Sequence, residues 1–372
     1  MRPLASSKHL IIFVALVSFF GIDSYAQPTS DTAIAWFKAK DLDVEGVAFK
    51  DTENDFDRLP ERAKDKVRKQ VWDLSQFPAG VLVRFQTDSP VIHIKYDLAN
   101  ARLAMPHVPA TAVSGVDLYA ENDEGVMQWA AVLKPGNTSI NQKLLDKIKP
   151  KADGSQRRFD LYMPLFNRPV NLEIGVDANS QFGKAPARTE KPILIYGTSI
   201  MHGACASRAG MSISSILGRR LNHPIINLGF SGNGRMELAV GQFIAELDPA
   251  VLVIDCLPNL NPQRVAERCE PLVRQLREAR PDTPILLVED RVFTNAWIRD
   301  GADSFHKKNQ AALRGAYDRL VADGVKNLYY LPATNLLGND HEGATDGSHP
   351  SDLGMMRYAD AYEPLLRKIM GK

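Results

Sequence analysis

The feature that most constrains this fold is a change in hydrophobic rhythm near residue 180. Up to about Asp177, apolar residues recur at every second position. Between Val91 and Leu98, residues Ile92, Ile94, Tyr96 and Leu98 share one face while His93, Lys95 and Asp97 share the other, as in a strand buried on one side. Segments 81–85, 115–121, 128–133, 157–163 and 170–176 read as further short strands, with turn-formers at 122–125 and 135–137. Many short strands with little helix predict an antiparallel, jelly-roll-like β-sandwich over 27–180. The charged stretch from Asp55 to Lys69 interrupts the pattern and is expected to be a surface helix or loop.

Beyond a linker at 181–191, rich in Gly, Pro, Lys and Ala, strands alternate with helices. Strands are expected at 193–196, 224–230, 250–256, 284–289 and 327–331, with helices near 211–221, 236–247, 262–279, 304–322 and 352–369. Such alternation makes a parallel sheet covered by helices on both faces, here a three-layer α/β/α domain over 192–372. Ligands of such sheets lie outside the C-terminal strand ends.

Lys and Arg together number 45 against 44 Asp and Glu, so no strong field steers polyanions, and nucleic acid is an unfavoured partner. Residues 1–26 have the order of a signal peptide: Arg2 and Lys8, an apolar run from Leu10 to Phe20, then Ser24 and Ala26 before a cleavage point. The run falls short of the about 20 apolar residues of a comfortable membrane span, so export to the periplasm or medium is expected, without stable membrane insertion. Cys205, Cys256 and Cys269 have neither disulfide-framework nor zinc-motif spacing and are expected to be small buried residues. No metal and no cofactor is expected; phosphate-loop and His-Glu-x-x-His patterns are missing from the sequence.

Four segments fall where this topology places a ligand: Ser199 after the first strand of the second half, Asn227–Arg235 after the second, Asp255–Asn259 after the third, and Thr345–Pro350 before the last helix. A serine hydroxyl needs a base to become a nucleophile, and His349 is the natural one. Asp346, three residues earlier, can fix the imidazole tautomer and offset the charge it acquires. Attack on an ester builds charge on the carbonyl oxygen; the donors for it would be the backbone N–H groups of Ser199 and Gly232 and the Asn259 amide. Each segment also has a plainer reading as turn or cap, with Ser351 as a possible N-cap after the last.

In this order Ser199, Gly232, Asn259 and His349 resemble the four blocks of the SGNH, or GDSL-like, hydrolases. The third block departs from the usual Gly-x-Asn-Asp, reading Asp255-Cys-Leu-Pro-Asn259. Gly115-Val-Asp-Leu-Tyr119 resembles the Gly-x-Asp-Leu-Tyr motif of a sandwich domain that precedes one subfamily of these enzymes. The resemblance implies a flavodoxin-like sheet and metal-free ester hydrolysis through an acyl-serine. Relatives with an appended sandwich often remove acetyl groups from carbohydrates, which implies a small-molecule or polysaccharide ester as substrate. A lipase or thioesterase, and a glycan-binding protein with the hydrolase half as scaffold, remain as alternatives. His107, His202, Arg235 and Arg291 are candidate substrate contacts, and Trp36, Trp72 and Trp129 a candidate sugar platform. The sequence does not set the oligomeric state.

Overall fold

The computed structural model describes residues 33–372, and Ile34–Lys372 forms one compact unit. The expected signal peptide lies outside the described residues. No helix among the described residues is long and apolar enough to cross a membrane.

The first half is a sandwich of two antiparallel sheets. Its strands are β1 (Ile34–Lys38), β2 (Asp43–Glu45), β3 (Leu82–Thr87), β4 (Ile92–Leu98), β5 (Asp117–Glu121), β6 (Met127–Val132), β7 (Ser139–Leu145), β8 (Arg157–Tyr162), β9 (Pro169–Asp177) and β10 (Phe182–Lys184). One sheet has the order β1-β9-β4-β7 and the other β10-β3-β8-β5-β6, with β2 beside β3. The inward residues Phe85, Ile94, Tyr96, Leu118, Phe159 and Ile174 form the core between them, so the alternation in β4 does point its apolar face inward. Two short helices, α1 (Lys69–Ser75) and α2 (Ala110–Val113), punctuate the strands.

Two expectations change here. Part of the 181–191 linker is strand β10, because Phe182 stacks on Phe37 and Phe85 (centroids 4.1 and 5.5 Å) and draws the backbone onto β3. The charged stretch at 55–69 is not all surface: Phe56, Asp57, Arg58 and Leu59 are buried, Arg58 completely, because its guanidinium finds main-chain carbonyls inside the protein.

The second half carries β11 (Ile193–Gly197), β12 (Ile225–Gly229), β13 (Val251–Asp255), β14 (Ile285–Val288) and β15 (Leu328–Leu331), all parallel, in the order β12-β11-β13-β14-β15. This is the doubly wound flavodoxin-like order, whose switch point lies beside β11. Helix α3 (Ser199–His202) follows β11; Ile193 and Ile195 pack towards α4 (Ile213–Leu221) and α8 (Asp352–Met370), while Leu194 and Tyr196 pack towards α5 (Leu238–Ile244), α6 (Pro262–Ala279) and α7 (Ala302–Ala322). Helix starts follow local chemistry: Asn261 accepts from Arg264 N–H at 2.9 Å ahead of Pro262, and Ser212 caps the following helix through Ser215 N–H. Leu82, Tyr119, Tyr162 and Phe166 of the sandwich half share a core with Ile193 and Tyr358, so the halves bury apolar surface jointly.

Candidate active site

Strand β11 ends at Gly197, where an added Cβ would lie 2.6 Å from the Met201 side chain. One residue later Thr198 accepts from Ile200 N–H and starts the single-turn helix that carries Ser199. The Ser199 hydroxyl is 2.9 Å from His349 Nε2, and His349 Nδ1 is 2.7 Å from Asp346 Oδ2. A carboxylate only accepts, so Nδ1–H donates to Asp346 and Nε2 of the neutral ring is left to accept from the serine. Burial would raise the Asp346 pKa, but the backbone N–H and ring of His349 and the N–H of Ser348 outweigh it and bring it down to about 2. The carboxylate is therefore charged throughout the range in which an imidazole titrates. Such a line can withdraw the serine proton while holding one imidazole tautomer.

The partners for a developing oxyanion come from neighbouring strands. Gly197 stands level with Gly229 on one side and Asp255 on the other, so the loops leaving β11, β12 and β13 share one edge. Gly232 has φ +68° and is exposed. Gly234 passes so close to β11 that a Cβ would sit 1.9 Å from Gly197 O, which admits only glycine. Asn259 ends a 3-10 turn, and its amide Nδ2 is buried with no hydrogen-bond partner among the described residues. A buried donor without an acceptor is costly in a resting protein and is what an oxyanion site requires.

A model of a GDSL-like lipase/acylhydrolase family matches residues 190–367, and one described as the N-terminus of SGNH-hydrolase-type esterases, GxDLY, matches 34–182. The solved structure of a Bacteroides ovatus protein described as a GDSL-like lipase is 33% identical, covers 91% of this chain and 98% of its own, and superposes with a TM-score of 0.86. The chain belongs to the GDSL-like lipase/acylhydrolase family. It is an SGNH-type carboxylic ester hydrolase. The fold is shared by a salicylyl-acyltransferase from a tetracycline biosynthetic pathway, at 17% identity, coverages of 92% and 96% and a TM-score of 0.67. It is shared too by a family two carbohydrate esterase from Clostridium thermocellum, at 14% identity, coverages of 79% and 93% and a TM-score of 0.55. None of the curated proteins matches the chain.

In this GDSL-like hydrolase the four candidate substrate contacts part ways. His107 is exposed on a loop of the sandwich half, with its ring 5.8 Å from that of His349. Arg235 is half-buried and donates to Gly232 O at 3.0 Å, closing its own loop. His202 does not line the cleft: it is fully buried, stacked on Phe166 at 4.2 Å and bonded to Leu165 O at 2.7 Å. Burial, aided by the Arg58 charge, holds its pKa well below the usual histidine value, so the neutral ring ties the Ser199 helix to the sandwich half. Arg291 is also buried; it pairs with Asp290 and donates to Ser348 O at 3.0 Å, so it supports the His349 turn from behind. The three tryptophans make no common platform, since Trp36 is on β1 under Lys95, Trp72 is buried on α1, and Trp129 on β6 bonds Asp117.

The three cysteines are free and buried. Cys205 nevertheless stands with its thiol within 4.8 Å of ligand atoms of Asp346 and His349, a gathering no sequence spacing suggested. Burial first, and Asp346 to a lesser degree, push its pKa up to about 11, which keeps it as S–H beside the charged carboxylate. Sequence reasoning missed the role of Asn227, whose Nδ2 donates to Met201 O at 2.6 Å and whose Oδ1 accepts from Gly229 N–H at 2.8 Å, pinning the Ser199 helix to the end of β12. A cavity of about 480 Å³ opens between the halves beside Ser231 and Asn233, walled by Leu74, Phe77 and Phe166 and edged by Asn100 and Arg102.

Proposed function

We propose that this enzyme is an exported carbohydrate O-acetylesterase in which Ser199 is the nucleophile, His349 the base and Asp346 its orienting carboxylate. The observation that carries the reading is the Ser199–His349–Asp346 line standing at the strand edge that also presents the unpartnered Asn259 amide. Ser199 Oγ attacks the ester carbonyl as its proton passes to Nε2. The tetrahedral oxyanion is met by the N–H groups of Ser199 and Gly232 and by Asn259 Nδ2. Collapse breaks the bond to the sugar oxygen, which takes the proton from His349 and leaves as the hydroxyl; water, deprotonated by His349, then attacks the acyl-serine and releases acetate.

Two further observations support the carbohydrate class. The cavity beside the Gly232 loop offers apolar walls next to polar side chains, a mixture suited to the C–H faces and hydroxyls of a sugar. Among the fold neighbours is a carbohydrate esterase in complex with cellohexaose. Export rests on the pattern of residues 2–26, and a mature N-terminus at Gln27, read by N-terminal sequencing, would establish it.

Acetate release from a panel of acetylated polysaccharides, set beside hydrolysis of long-chain esters, tests the substrate. Faster turnover of the long-chain esters would replace this reading by a lipase. Ser199→Ala should abolish both activities in a folded protein, and Asn259→Ala should lower kcat by about 10²–10³-fold. Asp346, with its pKa brought down to about 2, should stay ionised from about pH 4 upwards, so no change of rate with pH in that range should come from it.

A further inference from the structure

The Gly115–Tyr119 motif lies on the sandwich, outside the chemistry above, yet its charged and hydroxyl groups reach across to the hydrolase half. Asp117 is fully buried; it accepts from Arg208 Nη1 at 2.8 Å and from Gly210 N–H at 2.8 Å across the boundary, and from Trp129 Nε1 of its own half at 3.0 Å. The Tyr119 hydroxyl accepts from the same Arg208 nitrogen at 2.6 Å, and the Arg219 guanidinium lies 3.9 Å from its ring centre. The fit is tight on both sides. A Cβ on Gly210 would lie 2.4 Å from the Tyr119 ring and 2.7 Å from Asp117 Oδ2, and one on Gly115 would lie 2.4 Å from Leu133 O. Leu118 fills the sandwich core.

What these residues grip is the loop Ser207–Met211. Thr111, just ahead of the motif, donates to Ser207 O at 2.6 Å. Ser207 in turn holds Asp352 with both its N–H (2.9 Å) and its hydroxyl (2.5 Å). Asp352 opens α8 three residues after His349, and the turn that ends at His349 is closed by Thr345 N–H on His349 O at 2.8 Å. A chain of short polar contacts thus runs from β5 of the sandwich to the turn that carries His349.

We propose that the Gly115–Tyr119 segment is a clamp that sets the position of the His349 turn from the opposite half of the molecule, with Asp117 and Tyr119 as positioning residues acting through Arg208, Ser207 and Asp352. The clamp rests on the reading of His349 as the base. It also explains why a sandwich carrying this motif precedes this hydrolase half within one compact unit: the acid-base turn has its outer anchor there.

Asp117→Asn is the test, because it keeps the shape, removes the charge opposite Arg208 and turns one acceptor into a donor that faces either Arg208 and the Gly210 N–H together or Trp129 Nε1. On 4-nitrophenyl acetate, kcat should fall about tenfold or more while KM stays within about twofold, as misplacing a reacting group slows chemistry more than binding. The rate at which a phosphonofluoridate modifies Ser199 should fall in parallel. Amide hydrogen exchange should rise at 205–211 and 343–352 and stay unchanged in the β1-β9-β4-β7 sheet, a pattern that general destabilisation would not give. Tyr119→Phe should show the same changes on a smaller scale. If Asp117→Asn does not fold, Ser207→Ala removes only one bond to Asp352 and is read in the same way. Wild-type exchange at 343–352 together with wild-type kcat in either variant would overturn the clamp. If the wild-type enzyme hydrolyses no ester and Ser199 resists the phosphonofluoridate, the functional reading fails instead, while exchange still decides the clamp.

Discussion

Arg58 and Asp117 both reach from the sandwich half into the parallel-sheet half, and they are satisfied in opposite ways. Arg58 is wholly buried and donates to four carbonyls: Leu74 O and Phe77 O in its own half (2.6 Å each), Asn227 O at 3.0 Å and Gly229 O at 2.7 Å across the boundary. No carboxylate bonds it among the described residues; its guanidinium lies 5.1 Å from the centre of the Phe230 ring. Asp117 by contrast meets a counter-charge, Arg208, along with two neutral N–H donors. The two grips therefore specify different things. Arg58 reads main-chain carbonyls, so it fixes the backbone that leads into the Gly232 loop whatever side chains that loop carries. Asp117 reads the Arg208 side chain as well as the Gly210 N–H, so its grip on the Ser207–Met211 loop depends in part on one particular side chain being present. One grip holds the backbone leading to the Gly232 loop and the other the loop that reaches the His349 turn through Ser207 and Asp352.

The sharpest way to break this contrast is Arg58→Met. Four carbonyls would lose the guanidinium; Leu74 O and Phe77 O keep main-chain N–H partners at 3.3 and 2.9 Å, and a buried carbonyl left with none costs about 1–3 kcal/mol. The fall in Tm should exceed that of Arg208→Ala or Asp255→Asn, and kcat should drop as the Gly229–Gly232 backbone relaxes. Arg58→Lys restores the charge but not the planar fork, and one ammonium has three donors for four carbonyls. It should recover only part of the loss; full recovery would mean that charge, not carbonyl geometry, is what Arg58 supplies. Burial pulls the Arg58 pKa down to about 9, with the Asp57 charge opposing, so the side chain is still a cation at neutral pH. The deficit of Arg58→Met should accordingly be flat between pH 5 and 8.

Arg208→Ala is the matching perturbation on the other side. Stripping the partner from a buried pair costs about 3–5 kcal/mol in general, softened in this pair because Arg208 is 21% exposed and Asp117 retains two N–H donors. Burial already raises the Asp117 pKa against the opposing charge of Arg208. Without Arg208 it rises further. A carboxyl whose folded pKa exceeds its unfolded value holds a proton in the folded state that the unfolded chain has released, so stability falls as pH rises from about 4 towards the folded pKa. The Tm deficit of Arg208→Ala should therefore widen with rising pH. A deficit as flat as that of Arg58→Met would erase the distinction between the two grips.

How much of this was legible from sequence follows the same division between local and distant causes. Helix α6 runs Pro262–Ala279 as expected, because its cap, its Pro at N1 and its apolar stripe are written in consecutive residues. The β12-β11-β13-β14-β15 sheet was legible because its strands are continuous apolar runs, and it brings the loops that carry Ser199, Gly232 and Asn259 to one edge. Strand β7 was not legible: as an edge strand of Ser139–Leu145, it buries only Ile140 fully and shows no alternation strong enough to notice. Arg58 hid in a run of charges, since nothing beside it reveals four carbonyls contributed by residues 74, 77, 227 and 229. Gly115–Tyr119 stood out as a motif, but its meaning lies in Arg208 and Gly210, about ninety residues on. Arg291 and His202 were correctly placed after sheet strands, yet position alone does not tell a side chain that meets substrate from one that braces the loop beneath it.

A third buried charge tests why Arg58 needs so many carbonyls. Asp255 ends β13, four residues before Asn259, and is fully buried; Tyr362 donates to it. Burial pushes its pKa up to about 7, with Asp290 adding to the rise and Tyr362 and Arg291 opposing it. A carboxyl can escape an unfavourable interior by taking a proton, whereas a guanidinium has no such exit and must be met by acceptors. The folded state should then hold a proton at Asp255 from about pH 4 up to about pH 7 that the unfolded chain lacks, and stability should decline across that window and level off above it. Asp255→Asn removes the titration and keeps the shape. Relative to this variant, the wild-type protein should lose Tm between pH 5 and pH 7 and change little from pH 7.5 to 8.5, the smallest effect of the three. A Tm difference that does not move with pH would show that Asp255 is ionised in the folded protein. Arg58 would then be no more constrained than a carboxylate in a comparable place.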